Sequence, residues 1–269
     1  MTPEKPVAPA APIIACTPKR LPQGLWIAAA TQATFINPVN QPPVGRIAQL
    51  LNAAPTRMEI AILTTKKWQT VGVHLTVGFL DNPPLVLRKR ILQHMNVWGK
   101  TANVSFKEVK TDPQVRIARA GGLDGGYWSY LGTDILSIAP GQPTMNLEGF
   151  TMQTPETEFI RVVRHETGHT LGFPHEHMRR ELVARINVKK AIAFYGATQG
   201  WSPAEVQAQV LTPLEESSML GTDPPDPHSI MCYQIPASLT KDGKPIIGGL
   251  DIDETDHAFA ARMYPKKLK

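Results

Sequence analysis

The stretch from Arg164 to His177, RHETGHTLGFPHEH, constrains the fold of this chain more than any other part of its sequence. It contains four of the chain's eight histidines. The residues before it favour a helix, because Thr154 is a good N-cap and Pro155 suits the first helical position. Gly172 is placed to end that helix. The sequence therefore predicts a helix that carries the first two histidines, followed by a reversal of the chain.

The first three histidines of the stretch have a spacing that suits one metal ion. His165 and His169 are four residues apart, so on a helix they lie about 40° apart around the axis and one turn along it. Gly172 can adopt a positive φ, and a reversal there can bring His175 back to the same ion. Three neutral imidazoles suit Zn²⁺ and leave one coordination position open, which is typical of catalytic zinc sites.

Glu166 is the candidate for acid–base chemistry at this site. It follows His165, about 100° further around the helix, where it can reach a zinc-activated water without binding the metal itself. A glutamate so placed can take the proton of that water, which predicts hydrolysis of an amide with Glu166 as the general base. Two alternatives stay open: histidines on a polar helix surface, and a metal-bearing module that binds peptides without cutting them.

HETGHTLGFPHEH resembles the signature of the metzincin metallopeptidases, and most closely that of the astacins, in which GFxHE follows the second histidine. SIMCY, from Ser229 to Tyr233, is similar to the astacin Met-turn, S-x-M-H-Y. The resemblance implies that Met231 lies beneath the metal and that Tyr233 can ligate zinc and stabilise the tetrahedral intermediate. It extends more weakly from Lys67 to Tyr264, and it is stronger to bacterial members than to the disulfide-bonded animal astacins.

This resemblance implies a zinc-dependent endopeptidase that acts on protein or peptide substrates. It favours a secreted or extracellular location, although no signal peptide is visible in the sequence. Cys232 stands where the astacin pattern has histidine, and we expect a small buried residue there. Glu176 matches the glutamate that in astacins meets the trimmed N-terminus, and we expect a structural role for it.

The rest of the chain predicts an α+β fold of the metzincin type with two lobes. The upper lobe, to about residue 172, is expected to hold a twisted mixed sheet and helices, including the zinc-binding helix. Its predicted elements are strands at 71–80, ANVSFKEV, PQVRIAR and ILSIA and a helix over 84–98. The lower lobe is expected to be irregular, with the Met-turn and a C-terminal helix. In metzincins the strand near PTMNLEG borders the cleft and pairs with substrate; an ordinary edge strand is the alternative.

The N-terminal residues 1–44 are rich in proline and are predicted to form an extended arm with little structure of its own, a candidate pro-segment. The catalytic domain is then expected to span residues 45–269. Cys16 lies in the arm, and a thiolate that reached the open zinc position would displace water and keep the enzyme latent. The path of the arm decides this, and the sequence leaves that path open.

Composition argues against several other classes of protein. The net charge is +5, but the basic patches LRKR and YPKKLK contain no interleaved aromatic residues, so we expect solvated surface and no nucleic-acid binding. No apolar run approaches the length of a membrane span. Two cysteines, Cys16 and Cys232, exclude a scaffold held together by several disulfides. A monomer is favoured.

Overall fold

The computed structural model describes residues 16, 19–122, 125–176, 179–213 and 226–266. The part of the predicted arm before Cys16 lies outside the described residues, as does His177. Within the described ranges, no helix has both the length and the apolar character needed to cross a membrane.

The described residues form α-helices, short 3-10 helices and one five-stranded sheet. The α-helices are α1 (Trp26–Ile36), α2 (Val44–Leu51), α3 (Arg57–Leu63), α4 (Leu85–Met95), α5 (Glu156–Glu158), α6 (Arg164–Thr170), α7 (Arg180–Arg185), α8 (Val188–Gln199), α9 (Pro203–Val206) and α10 (Glu254–Met263). The strands are β1 (Val73–Phe79), β2 (Val104–Glu108), β3 (Val115–Ala118), β4 (Tyr127–Ser129) and β5 (Met145–Leu147). A π-helical segment, Phe159–Val163, joins α5 to α6, and these three pieces are called the motif helix below.

The strand order in the sheet is β2-β1-β3-β5-β4. β1 pairs in parallel with β2 and β3, β3 pairs in parallel with β5, and β4 runs antiparallel to β5. The register places Val77 opposite Val115 and Ile117 opposite Met145. The prediction of an α+β fold with a mixed sheet is therefore confirmed.

Two details of the predicted sheet are wrong. ILSIA is not a strand, because Gly132–Ser137 form a 3-10 helix that begins at a positive φ of 48°. β5 lies instead in PTMNLEG, and all three of its side chains are buried. An interior strand buried on both faces shows no alternation, which is why its sequence looks irregular. Because β5 lies between β3 and β4, the edge strand on this side of the sheet is β4 (Tyr127–Ser129) and not PTMNLEG.

The prediction of an extended segment throughout residues 1–44 is wrong for its second half, where α1 forms. The sequence of α1 contains four alanines, which favour a helix, and the helix buries Ala29, Ala30 and Ala33. Asn40, at the end of the 3-10 helix Pro38–Asn40 that follows α1, is fully buried and donates from Nδ2 to the carbonyl of Lys67 at 2.9 Å. The α1 region is therefore anchored to the rest of the protein by packing and by buried hydrogen bonds.

The apolar side chains form two core clusters, and the motif helix lies at their boundary. The first cluster surrounds the sheet and includes Trp98 and Phe159, together with Tyr264 just after α10. The second cluster joins Cys16 to apolar side chains of the C-terminal half, among them Leu182 and Tyr195. A site between the two clusters can therefore be reached by side chains from both.

The motif helix begins and ends close to the predicted residues. Pro155 is its N-cap, one residue later than the predicted Thr154. Phe159, Val162 and Val163 are buried in the first core cluster, which fixes the rotation of the helix. Gly172 has a φ of 92°, so the chain reverses there as expected.

Tyr264 connects the end of the motif helix to the strand side of the fold. Its hydroxyl donates to the carbonyl of Leu171 at 2.6 Å and accepts the backbone N–H of Trp68 at 3.2 Å, and its side chain is fully buried.

We expect Tyr264→Phe to lower the free energy of unfolding by about 1–3 kcal/mol, because both backbone groups lose a buried partner. Urea denaturation measures this change.

The control for that measurement is Phe35→Ala, because the Phe35 side chain is 89% exposed. We expect the control to change the free energy of unfolding by less than about 0.5 kcal/mol. Equal unfolding midpoints for Tyr264→Phe and the unmodified chain would show that this hydroxyl does not hold the helix end.

Candidate metal centre

The motif helix and the chain reversal at Gly172 bring three buried imidazoles together. His165 Nε2 lies 3.1 Å from His175 Nε2, and His169 Nε2 lies 3.0 Å from the same atom. The three side chains are 7%, 2% and 1% exposed in the order His165, His169 and His175. All three residues that the sequence analysis selected as metal ligands therefore converge on one point.

Two backbone carbonyls orient these rings from behind. His165 Nδ1 is 2.6 Å from the carbonyl oxygen of Ile230, and His169 Nδ1 is 2.8 Å from that of Phe173. A carbonyl only accepts, so each Nδ1 carries the proton and each Nε2 presents a lone pair to the centre. Burial lowers the pKa of His169 to about 4, so its ring is neutral near pH 7.

This donor set fits zinc. Ligand nitrogens at about 2.0–2.1 Å from a tetrahedral Zn²⁺ lie about 3.3 Å from one another, close to the separations between the Nε2 atoms here. Lone pairs that point at each other in a buried space need a cation to satisfy them. The arrangement therefore has the ligand type, the spacing and the burial of a zinc site.

Glu166 lies beside the three histidines and is 1% exposed. Burial raises the pKa of its carboxyl to about 8, while the thiol of Cys16 and the charge of Arg161 act in the opposite direction. A carboxyl whose pKa lies near neutrality can both accept and return a proton. The structure places this carboxyl within reach of the Cys16 thiol, which is grouped with the three histidines, and its role as the base stays a prediction.

The segment Ser229 to Tyr233 forms the predicted turn directly under the motif helix. Met231 N–H donates to Ser229 Oγ at 3.0 Å, and Cys232 N–H donates to the carbonyl of Ser229 at 2.9 Å. A Cβ at Gly168 would lie 2.3 Å from the sulfur of Met231. Because Gly168 has no side chain, Met231 can pack against the motif helix between His165 and His169.

Asp256 anchors this turn, and the sequence analysis did not select it. Its carboxylate accepts from Ser229 Oγ at 2.6 Å and from the N–H of Ile230 at 2.9 Å. The carbonyl of the same Ile230 orients the ring of His165. The Asp256 carboxylate therefore helps to position this histidine by holding the backbone of Ile230. The only sequence signal was its place three residues after Asp253 in a capping box.

Tyr233 packs beside the histidines, as expected, with its ring centroid 4.3 Å from that of His175. Its hydroxyl donates to the backbone carbonyl of Cys16. The thiol of Cys16 donates to Glu166 Oε2 at 3.5 Å, and its Sγ joins the three histidines in a group whose ligand atoms all lie within 4.8 Å of one another. The described end of the arm therefore reaches the candidate centre.

Cys232 and Glu176 have the structural positions expected of them. Cys232 is 4% exposed and is not among the grouped ligand atoms. The backbone N–H of Glu176 donates to the carbonyl of Met231 at 2.9 Å, and its Oε1 accepts the N–H of Asp226 at 3.2 Å. Glu176 therefore ties the chain beyond the third histidine to the turn beneath the site.

The edge strand β4 lies next to the candidate centre. Ser129 Oγ of β4 lies 3.0 Å from Thr170 Oγ1 at the end of the motif helix. Asn146 of β5 donates to the carbonyls of Ala120 and Gly126, which holds the loop that leads into β4. An extended peptide along β4 would therefore pass the histidines.

Comparison with known proteins agrees with this geometry. The family model for the astacin peptidases matches residues 62–247, more than half of the chain. The chain belongs to the astacin family. Zinc is accordingly the cofactor of this chain, and the donor set described above fits that metal.

Two proteins are similar to this chain over different shares of their lengths. The structure of myroilysin is 33% identical, with a TM-score of 0.70 over 76% of this chain and 97% of that one. A second myroilysin structure matches with a TM-score of 0.56. Zinc metalloproteinase nas-27 of Caenorhabditis elegans is 32% identical over 115 residues, which span 42% of this chain and 23% of that protein.

We expect Asp256→Asn to weaken zinc binding by about 10–100-fold, because the amide cannot accept both bonds that hold the turn behind His165. The free energy of unfolding should also fall by about 1–3 kcal/mol. Competition with a zinc-binding dye measures the first effect, and urea denaturation measures the second.

Asp242→Asn is the matched control, because Asp242 pairs with Arg185 on the surface, away from the turn. It should bind zinc as the unmodified chain does. If both variants bound zinc equally well, Asp256 would have no role in orienting the histidine.

Proposed function

We propose that this chain is a zinc endopeptidase in which His165, His169 and His175 hold the metal and Glu166 transfers the proton. The observation that carries the proposal is the convergence of three buried imidazoles, two of them oriented by backbone carbonyls, beside one buried carboxyl. Three histidine ligands leave a zinc coordination position for catalysis, whereas a structural zinc site is closed by four protein ligands.

The carboxyl of Glu166 acts as base and then as acid. Bound zinc supplies a Lewis acid and lowers the pKa of a water to about 7. Glu166 takes a proton from the attacking water and passes it to the nitrogen that leaves when the amide bond breaks. A purely peptide-binding module would need no proton acceptor here, so the buried Glu166 favours the enzyme over that alternative.

Tyr233 and Met231 have supporting roles in this proposal. The Tyr233 hydroxyl lies close enough to the centre to donate to the oxygen that becomes negatively charged in the transition state. Met231 packs against the motif helix from below and limits the movement of the histidines.

Substrate binds in an extended form along β4. The edge of β4 is able to accept a strand, because Cys16 forms a bridge with Tyr127 and Lys19 forms one with Tyr130. Backbone pairing of this kind binds peptides with little demand on their side chains. Membership of a peptidase family supports protein or peptide as the substrate. We also propose that the protein is secreted, which the family relationship favours, and that it is a monomer.

We expect Glu166→Gln to retain zinc but to lower the rate of casein hydrolysis by about 10²–10⁴-fold, because the amide cannot accept the proton. The rate is measured before and after limited proteolysis of the full chain, and zinc content is measured on the same samples. Zinc content separates loss of chemistry from loss of the metal.

Glu108→Gln is the control for this variant. Glu108 lies on β2, at the opposite edge of the sheet from β4, and pairs with Arg88 at 2.7 Å. It should hydrolyse casein at the unmodified rate. Full activity in Glu166→Gln would falsify the role of the carboxyl as the base.

We expect Tyr233→Phe to lower kcat by about 10²–10³-fold with a much smaller change in KM, because the hydroxyl donates only in the transition state. Steady-state kinetics with a fluorogenic peptide, on chain treated by limited proteolysis, measures both constants. A rise in KM with kcat unchanged would assign the hydroxyl to substrate binding and contradict this role.

A further inference from the structure

His94 bonds to two residues that lie on either side of the π-helical segment of the motif helix. Its Nε2 lies 3.2 Å from Oε1 of Glu156, before the segment, and its Nδ1 lies 3.4 Å from Nε of Arg164, directly after the segment. The side chain comes from α4 and is 3% exposed. One buried imidazole therefore bridges the π-helical segment from outside the motif helix.

The two contacts define which nitrogen of this ring carries the proton. A guanidinium only donates, so Nδ1 of His94 accepts from Arg164, and Nε2 donates its proton to the Glu156 carboxylate. Burial lowers the pKa of His94, which favours this neutral form of the ring. Both ring nitrogens are therefore used, and each holds one end of the segment.

The direction of the first two metal ligands depends on the register of the π-helical segment, Phe159–Val163. A π-helix is rare, and its hydrogen bonds span one residue more than those of an α-helix. If the segment relaxed to an α-helix, the residues after it would rotate by about 100° relative to those before it. His165 and His169 come shortly after the segment, so they would turn away from His175.

Neighbouring side chains support the same two ends of the segment. Arg90 of α4 donates from Nη2 to Oε2 of Glu156 at 2.6 Å, and its Cζ lies 3.9 Å from the centroid of the Phe159 ring. At the other end, Trp98 Nε1 donates to the carbonyl of Arg164 at 2.9 Å. α4 and the 3-10 helix after it therefore contact the motif helix on both sides of the π-helical segment.

Arg164 also connects this bridge to the chain behind the Met-turn. Its Nη1 donates to Oδ1 of Asp251, and the backbone N–H of Gly249 donates to the carbonyl of Ser229 at 2.9 Å. A Cβ at Gly249 would lie 2.4 Å from the nitrogen of Ile230, so the two backbones are in close contact. The residue before the first metal ligand is therefore tied to the turn whose carbonyl orients that ligand.

We propose that His94 is a positioning residue of the metal centre, which keeps the π-helical segment in register by bonding to Glu156 and Arg164. This inference deepens the proposed function and rests on it. His94 acts through Arg164, the residue that precedes His165, and not on the substrate. Loss of the bridge lets the metal-binding turn adopt other registers, which weakens metal binding and lowers the competent fraction of the enzyme.

The test compares three substitutions of His94 with the unmodified chain. His94→Leu removes both bonds and keeps an apolar side chain in the buried position. An asparagine amide can replace Nδ1 as the acceptor from Arg164, and a glutamine amide can replace Nε2 as the donor to Glu156, so His94→Asn and His94→Gln each keep one bond. His74→Leu is the matched control, because His74 is exposed on β1 and bonds to Ser105 at 2.7 Å.

Zinc affinity, measured by competition with a zinc-binding dye, is the first readout. We expect His94→Leu to bind zinc about 2–30-fold more weakly than the unmodified chain, and His74→Leu to match the unmodified chain. His94→Asn and His94→Gln should lie between these two, and they carry the test if the leucine variant does not fold. Unchanged affinity in His94→Leu, or full affinity in either amide variant, overturns the claim that both bonds are needed.

Amide hydrogen exchange of the metal-free chain separates positioning from general stability. We expect peptides that cover residues 156–170 to exchange faster in His94→Leu than in the unmodified chain, and peptides from the sheet to exchange equally. Exchange that is faster over the whole chain would assign His94 to overall stability and contradict the proposal.

Steady-state kinetics with a fluorogenic peptide, on zinc-saturated chain treated by limited proteolysis, gives the functional result. His94→Leu should lower kcat about 2–30-fold with little change in KM, because fewer molecules are competent. A zinc-loaded chain that cleaves nothing would refute the proposed function, while zinc affinity and exchange still decide the role of His94. Equal kcat, zinc affinity and exchange in His94→Leu and the unmodified chain would refute the bridge and leave the endopeptidase standing.

Discussion

The fold around the metal centre depends on three imidazoles that are buried with their Nε2 atoms facing one another. Such an arrangement is unfavourable unless a cation fills it, so the surrounding structure has to hold it in place. The carbonyls of Ile230 and Phe173 do so by fixing the protonated nitrogen of two of the rings. The first carbonyl belongs to the turn beneath the helix, and the second belongs to the chain reversal after Gly172.

Both halves of the protein therefore contribute to the geometry of one ion. The sheet-side core fixes the rotation of the motif helix through Phe159 and its neighbours, while Asp256 holds the turn from the other side. Gly168 permits the close approach of Met231 that joins the two. The arm adds a third component, because the thiol of Cys16 meets the same histidines.

The sequence was most informative where function depends on local spacing. His165, His169 and the hinge at Gly172 follow from helix geometry and from the conformational freedom of glycine, and the structure places them as expected. β5 was missed as an interior strand because burial on both faces removes the alternating pattern. The roles of Asp256 and of the arm depend on contacts between distant parts of the chain, which spacing does not reveal.

The central claim is that the histidine centre hydrolyses peptide bonds through a bound metal. Digestion of a peptide library, mapped by mass spectrometry with and without a zinc chelator, tests it most directly, using the full chain after limited proteolysis. The account predicts internal cleavage of many peptides, loss of that cleavage with chelator and recovery on addition of Zn²⁺. Cleavage that persists in chelator, or zinc-loaded chain that cuts no peptide, would contradict it.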